Sequence, residues 1–241
     1  MSRLDLLLWV ALPYLAIGSF VVGHIWRYRR DQFTWTARST QLLERRLLMV
    51  GSMLFHLGIL MAIGGHALGI LVPRSATEAV GISDEAYHWL AVAGGLVASG
   101  LVGLGVAVLV YRRLTVPRVA ATTLRSDRVL YPLLLLTIVG GILATADTVV
   151  DRYAYRETVS PWFRGLFTLQ PDGALMVDAP FVFQLHAVTA SLLFALWPFT
   201  RLVHVWSVPV SYLGRAPILY RSRSRRASGP GTAGADARLR R

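Results

Sequence analysis

The stretch LLMVGSMLFHLGILMAIGGHALGILV, residues 47–72, contains no charged residue, and its most polar side chains are His56 and His66. A helix rises 1.5 Å per residue, so about 20 apolar residues cross the ~30 Å hydrocarbon core of a bilayer. Further stretches meet this requirement at about residues 4–24, 88–111, 129–150 and 181–206. None of the stretches alternates as the strands of a membrane barrel do. The sequence therefore predicts an all-α integral membrane protein, a bundle of five transmembrane helices.

The composition agrees with a chain that faces lipid. Charged residues make up only 16% of the 241 residues, whereas soluble domains usually carry about 25%. The chain has no cysteine, which excludes disulfides, thiol catalysis, iron–sulfur clusters held by this chain and covalent attachment of c-type haem. The net charge of +12 comes from arginines placed between the apolar stretches. That pattern indicates membrane topology, and we expect no nucleic-acid partner.

The arginines predict the orientation of the bundle. All 25 basic residues are arginine, and 20 of them lie in residues 25–46, 112–128 and from Arg201 onward. Cytoplasmic loops carry such an excess, so we expect these segments and the C-terminus in the cytoplasm and the N-terminus outside. The positive cluster follows the first apolar stretch instead of preceding it, so we expect a retained span and not a cleaved signal peptide.

Two regions lie outside the predicted spans. Residues 1–219 are expected to form the bundle domain, and residues 220–241, which are basic and rich in Gly, Ser and Ala, a disordered cytoplasmic tail. The connection 151–180 is long. Its aromatic and aliphatic residues suggest a short amphipathic segment on the outer surface, although a plain surface loop fits equally well: Trp162, Phe163, Leu166 and Phe167.

Four of the six histidines lie within predicted spans, two in the second and two in the fifth. His186 and His204 are 18 residues apart, which is five helical turns and roughly 27 Å along one helix face. His56 and His66 are ten residues apart, roughly 15 Å and about 80° around the helix. Because the two helices run in opposite directions, His66 and His186 match in depth near the outside, and His56 and His204 near the cytoplasm.

Depth-matched histidine pairs are suited to hold two b-type haems, because neutral imidazole is a good axial ligand of haem iron and bundle cores are common cofactor sites. The alternative is a set of polar hydrogen bonds between helices. Glycines cluster in the same spans, either giving a flat cofactor room or allowing close helix packing: Gly58, Gly64, Gly65, Gly69, Gly94, Gly95, Gly140 and Gly141. His24 and His88 have no depth-matched partner, and we expect His24 to be interfacial.

Several stretches resemble one known family, the gamma subunit of membrane-bound respiratory nitrate reductase. They are WRYRRDQFTW (26–35), STQLLERR (39–46), LFHLGIL and GGHALG within 54–69, PRVAATT (117–123), FQLHAV (183–188) and PFTRLVHVWSVPVSYL (198–213). The resemblance extends from the first span to about residue 220 and is weaker in 151–180 and in the tail.

The resemblance implies a diheme cytochrome b of the bacterial inner membrane. It would anchor an iron–sulfur beta subunit and a molybdenum-containing alpha subunit on the cytoplasmic face, and would oxidise a quinol, either menaquinol or ubiquinol. Carried over by motif, His66 and His186 resemble the iron ligands of the distal haem b, and His56 and His204 those of the proximal haem b.

This chain departs from the family at the quinol site. A lysine before the third span is associated with that site in the family, whereas this chain contains no lysine and has Ala86 at the matching position. Tyr87 or His88 could substitute for it. We therefore take Gly65, His66 and His88 as the candidate quinol-site residues and name no certain catalytic residue; a solvated helix end is the alternative for His88.

Two other classes of protein remain open at this point. One is a cytochrome b that anchors a different quinone-linked oxidoreductase, and the other is a haem-free membrane anchor or small transporter, although inverted repeats are not visible. The basic loops fit both the topology signal and a docking surface for the partner subunits. Arg27 and Trp35 are the residues we expect to contribute to docking.

Overall fold

The computed structural model describes residues 1–207 and 214–216, of which 1–207 form one compact unit. Five helices are long and apolar enough to cross a membrane, which confirms the predicted all-α, five-span class. They are span 1, Arg3–Arg30; span 2, Arg46–Leu71; span 3, Asp84–Thr115; span 4, Arg125–Val150; and span 5, Phe181–Phe199. The predicted tail, 220–241, lies outside the described residues.

Short elements connect the spans, and the described part of the chain contains no strand. The α-helical ones are Arg74–Ala79, Pro117–Ala120, Val159–Phe167 and Ala174–Val177. Three short 3₁₀ helices are Gln32–Thr34, Trp197–Phe199 and Arg201–Ser207. We call the end with residues 25–46, 112–128 and 197–207, which holds twelve arginines, the arginine-rich end. We call the end with residues 72–88 and 151–180, which holds three tyrosines, the tyrosine-rich end.

Span 3 is longer than its apolar stretch, 88–111. It begins at Asp84 because the Ser83 hydroxyl accepts a hydrogen bond from the Ala86 amide (3.2 Å), and two carboxylates in its first turn suit the positive helix end. It ends before Pro117, which disfavours helical geometry in the preceding residue. Polar residues at both ends therefore extend the helix beyond the lipid-facing segment.

Spans 2 and 3 make the closest approach in the bundle through glycines. A Cβ on Gly105 would lie 2.4 Å from the backbone nitrogen of Phe55, and a Cβ on Gly58 would lie 2.7 Å from that of Val102. Small residues allow such contact between membrane helices. Close packing is therefore the role of Gly58, one of the two explanations given for the glycine cluster.

Span 5 differs from the continuous helix 181–206 expected from its apolar residues. Its α-helical part is Phe181–Leu196, and the chain continues as 3₁₀ helix. Pro198 has no amide hydrogen to donate to the carbonyl four residues earlier, and its ring clashes with that carbonyl. The five-turn relation between His186 and His204 is therefore wrong, since His204 lies on the 3₁₀ helix Arg201–Ser207.

The connection 151–180 contains an amphipathic helix, Val159–Phe167, so the plain-loop alternative is wrong. Its apolar face packs against protein: Trp162 and Leu166 are each 4% exposed and contact a core that includes Trp9 and Met176. Phe167 points away and is 65% exposed. The helix thus covers the tyrosine-rich ends of the spans.

Side chains of the same helix donate hydrogen bonds to backbone carbonyls that lie in irregular turns of spans 1 and 2. The Trp162 indole donates to the Trp9 carbonyl (2.8 Å), to which Pro13, four residues later, cannot donate. The Ser160 hydroxyl donates to the Gly69 carbonyl (2.8 Å) within the π-helical turn Ala67–Leu71. Buried carbonyls need such partners, so this helix closes the hydrogen bonding of spans 1 and 2.

We predict that Gly105→Ala lowers the free energy of unfolding by about 1–3 kcal/mol, because the added methyl group forces spans 2 and 3 apart. Thermal unfolding in detergent or nanodiscs measures this effect. Gly100→Ala is the matched control, since a Cβ at Gly100, in the same span, meets no heavy atom within 4 Å. Equal stabilities of the two variants would show that the close approach is unimportant.

Candidate functional site

The fold brings His56, His66, His186 and His204 together in the two pairs expected from their depth. The rings of His66 and His186 have centroids 5.8 Å apart with 34° between their planes. The rings of His56 and His204 have centroids 6.1 Å apart with 77° between their planes. Despite the break in span 5, the chain therefore presents two facing imidazole pairs.

All four imidazoles have the same hydrogen-bonding pattern. Each Nδ1 contacts a backbone carbonyl, which can only accept, so Nδ1 is the donor, and in a neutral imidazole Nε2 then keeps its lone pair. The contacts are His56 to Ser52 O (2.7 Å), His66 to Ala62 O (2.6 Å), His186 to Thr137 O (2.9 Å) and His204 to Arg201 O (2.6 Å). Metal-binding histidines are usually oriented by a bond of this kind.

The ring separations fit a metal ion between each pair. Metal–imidazole bonds of about 2 Å place two opposed nitrogens about 4 Å apart and the ring centroids roughly 6 Å apart. A pair of neutral imidazoles is also the ligand set that haem iron takes from histidine. The donor atoms, their tautomer and their spacing therefore fit two bis-histidine haems.

Glycines next to the His66–His186 pair leave space. A Cβ on Gly141 would lie 3.0 Å from Cε1 of His186, so a larger residue there would displace the ring. Gly64 and Gly65 have no heavy atom within 4 Å of a Cβ position. The helix through these two glycines is regular, and the π-helical turn begins only after His66. His56 and His66 therefore keep the offset of about 80° that an ideal helix gives them.

Arg27 is buried, although its place among the arginines of residues 25–46 suggests an exposed side chain. Its guanidinium is buried and donates to the carbonyls of Pro198 (2.5 Å) and Thr200 (2.9 Å), and to the carbonyl of Thr34 (2.9 Å). It therefore ties span 1 to the break in span 5. Because the side chain is enclosed within this chain, Arg27 would not contact a partner subunit directly, and its expected contribution to docking, like that of Trp35, stays a prediction.

His24 lies at the same end and uses both ring nitrogens. Its Nδ1 contacts the Phe20 carbonyl (2.6 Å), and its Nε2 accepts a hydrogen bond from the Trp206 indole (3.1 Å). Trp35 packs beside it, with ring centroids 5.8 Å apart. His24 therefore helps to hold the segment that carries His204.

The tyrosine-rich end contains a cavity of about 190 Å³. His88 lines it, whereas Gly65 and His66, the other two candidate quinol-site residues, are not among the described residues that do. The cavity is nevertheless close to them, because the hydroxyls of Tyr87 and Tyr155 would lie 3.3 and 3.1 Å from a Cβ on Gly69. Two tyrosines that line the cavity therefore contact span 2 one turn beyond His66.

Ion pairs and burial determine the charge of several groups that line this cavity. Arg74 pairs with the carboxylates of Glu78 (2.9 Å), Glu157 (2.6 Å) and Asp84, and its hydrogen bond to Glu78 raises the pKa of its guanidinium. Burial raises the pKa of the Tyr155 hydroxyl, and burial likewise raises the pKa of Tyr153. These phenols therefore remain protonated hydrogen-bond donors at neutral pH.

Five spans around two facing histidine pairs define a multi-pass membrane protein with two stacked bis-histidine sites. A sequence profile described as "Nitrate reductase gamma subunit" matches residues 5–223, and the chain belongs to this family. It is similar to the nitrate reductase gamma chain of Bacillus subtilis (44% identity, 90% of this chain, 98% of the relative). It is also similar to the respiratory nitrate reductase 1 gamma chain of Escherichia coli (37% identity, 92% and 100%).

A further relative is longer than this chain. The nitrate reductase-like protein NarX of Mycobacterium tuberculosis is 49% identical over 220 residues, which are 90% of this chain but 34% of that protein. This chain thus spans about a third of one kind of relative and nearly all of the other. With its five spans and its bacterial relatives, it is a multi-pass protein of the bacterial inner membrane.

We predict that Arg27→Gln lowers the free energy of unfolding by at least about 2 kcal/mol, because it leaves buried carbonyls of span 5 without their charged donor. Arg29→Gln, an exposed arginine in the same helix turn, is the control and should have little effect. Thermal unfolding of the purified chain measures both. Normal stability of Arg27→Gln, together with loss of soluble subunits from membranes, would support the docking interpretation.

Proposed function

We propose that this chain is the diheme cytochrome b subunit of a respiratory nitrate reductase, acting in anaerobic respiration. It would oxidise a quinol near one membrane face and pass electrons to soluble subunits at the other, where nitrate is reduced. The observation that carries the proposal is the pair of facing imidazole sets, each with Nε2 available and ring centroids about 6 Å apart, in a chain of the gamma family.

The chain's own residues would supply the ligands and the insulation. His66 and His186 would hold the distal haem b, and His56 and His204 the proximal haem b, as axial ligands of iron. When bound, the two haems supply one-electron transfer through the thickness of the bilayer. The carbonyl partners of the four Nδ1 atoms fix the ring orientations, and the apolar spans keep water from the centres.

The arginine distribution supports the direction of transfer. The arginine-rich end would face the cytoplasm and the tyrosine-rich end the outside, which places the N-terminus outside and the C-terminus inside. Each quinol oxidised loses two protons and two electrons. Protons released outside and electrons delivered inside would make the reaction electrogenic.

The cavity at the tyrosine-rich end is the site we propose for the quinol headgroup, either menaquinol or ubiquinol. His88 is the imidazole among the described lining residues, and we propose it as the group that would accept a proton from a quinol hydroxyl. Tyr87 and Tyr155 would donate hydrogen bonds to the quinone oxygens. This arrangement would replace the family lysine, whose position is held by Ala86.

The arginine-rich end is the surface we propose for the partners, an iron–sulfur beta subunit that in turn holds a molybdenum-containing alpha subunit. Phe33 and Leu42 lie in its loop and are fully exposed (102% each), next to exposed arginines such as Arg38. Apolar anchors with arginine around them are typical of protein interfaces. Lipid would cover the sides of the bundle.

We predict that the purified chain contains about two b haems, and that His66→Ala and His204→Ala each lose one haem and not the same one. Removing an axial ligand leaves the iron with one protein bond, so the haem dissociates or changes its spectrum. Reduced-minus-oxidised spectra with haem quantification measure this. A haem-free chain, or one haem indifferent to both changes, would contradict the proposal and favour a plain membrane anchor.

We predict that His88→Gln lowers quinol-dependent nitrate reduction by about 10²-fold or more, the usual contribution of a proton acceptor. Nitrate reduction driven by a dye that reduces the soluble subunits directly should be unchanged, as should the haem content. The dye-driven reaction is the control, because it does not require the quinol site. Full quinol-dependent activity would place the quinol elsewhere, or show that His88 is a solvated helix end.

A further inference from the structure

His204 differs from the other three histidines in what holds its hydrogen-bond acceptor. The acceptors of His56 and His66 are carbonyls four residues earlier in the same regular helix. The acceptor of His186 is the Thr137 carbonyl of span 4, also in regular helix. The acceptor of His204 is the Arg201 carbonyl, three residues earlier, in a short 3₁₀ helix beyond the proline break.

A short 3₁₀ helix does not fix its own position, because its hydrogen bonds have poorer geometry than those of an α-helix and it is rarely long. The segment 197–207 must therefore be held by side chains from neighbouring spans. Arg27 binds its first carbonyls, at Pro198 and Thr200, and His24 accepts from Trp206 near its end. Between these two contacts lies Arg201, whose carbonyl orients the His204 ring.

Arg201 is held by a buried carboxylate. Its Nε donates to Oδ1 of Asp127 (2.8 Å) and its second terminal nitrogen to Oδ2 (2.5 Å), a bidentate pair. The Asp127 side chain is 1% exposed, and the guanidinium also lies over the ring of Tyr131, 5.5 Å from its centroid. Asp127 belongs to the first turn of span 4, where it accepts from the Leu124 amide (3.1 Å). The pair therefore joins a regular helix to the irregular segment.

We propose that Asp127, acting through Arg201, is a positioning residue for His204. The ion pair fixes the Arg201 backbone, and the Arg201 carbonyl then fixes the tautomer and the ring orientation of the proximal ligand. This inference rests on the proposed function, in which His204 binds iron. Groups of this kind around metal ligands typically change metal affinity or activity by about 10–100-fold when removed.

The test is the double variant Asp127→Asn with Arg201→Gln in the full chain in membranes, which removes both charges together and leaves no unpaired ion. We expect it to bind the proximal haem about 10–100-fold more weakly and to keep the distal haem signal unchanged. Haem quantification, difference spectra and electron paramagnetic resonance of the ferric haems distinguish the proximal haem from the distal haem. His204→Ala identifies which signal is proximal.

The chain offers a matched control. Arg112 and Glu44 form an ion pair at the same end (2.6 Å), with side chains 3% and 19% exposed. The Arg201 and Asp127 side chains are 19% and 1% exposed, so the two pairs are buried to a similar degree. This pair joins the 31–45 loop to span 3, and its described hydrogen bonds go to Thr40, Leu47 and Leu48 and not to residues 197–207. Glu44→Gln with Arg112→Gln should therefore keep both haems. Loss of the proximal haem in this control as well would overturn the inference, since general loosening would then explain it.

Arg201→Lys keeps the charge but loses the planar fork, and it tests positioning without removing the ion pair. We expect both haems to be bound and only the proximal midpoint potential to shift. Unchanged potentials here, or unchanged haem signals in the double variant while His204→Ala loses one haem, would overturn the inference alone. If His204→Ala retains both haems, the ligand assignment in the proposed function fails and the inference fails with it.

Discussion

The absence of water from the bilayer core is the constraint on which the rest of this structure depends, because every backbone amide and carbonyl there must find a partner inside the protein. Regular helix meets this requirement by itself. At three irregular points in the described bundle, a side chain from another element is the hydrogen-bond donor instead. Trp162 donates to the Trp9 carbonyl and Ser160 to the Gly69 carbonyl, while Arg27 donates to the carbonyls around the break in span 5.

The hydrogen bonds of the backbone carbonyls also affect the chemistry of the histidines. A carbonyl that accepts from a histidine Nδ1 leaves the Nε2 lone pair free, so the hydrogen bonds that satisfy the backbone also prepare the imidazoles as ligands. At His56 and His66 the helix supplies that carbonyl directly. At His204 the carbonyl belongs to a segment held by Arg27, His24 and Asp127. His56 and His204, which form one pair at the same end of the bundle, therefore have the same Nδ1 hydrogen-bonding pattern by different means.

Much of this architecture could be predicted from the sequence. The five spans follow from five apolar stretches of sufficient length, and the pairing of the four histidines follows from their depths in the bilayer. Both depend only on the apolar character of each residue and on the constant rise per residue of a helix. The break in span 5 was missed although Pro198 was visible, since prolines are tolerated in some membrane helices and the outcome depends on what else can pair the backbone. The burial of Arg27 could not be predicted for a related reason. An arginine on the surface and an arginine that donates to buried carbonyls look the same in a sequence, and only the tertiary contacts distinguish them.

The spans differ greatly in length. Span 3 has 32 residues and span 5 has 19, which correspond to about 48 Å and about 30 Å, while a hydrocarbon core is ~30 Å thick. Span 3 has length to spare and meets a thicker bilayer by changing its tilt, whereas span 5 has no such reserve. Span 5 carries His186 and leads directly into the segment of His204, so hydrophobic mismatch acts first on the helix that sets the spacing between the two histidine pairs. Membrane thickness is thereby coupled mechanically to the distance between the two histidine pairs, which under the proposed function is the distance that an electron would cross.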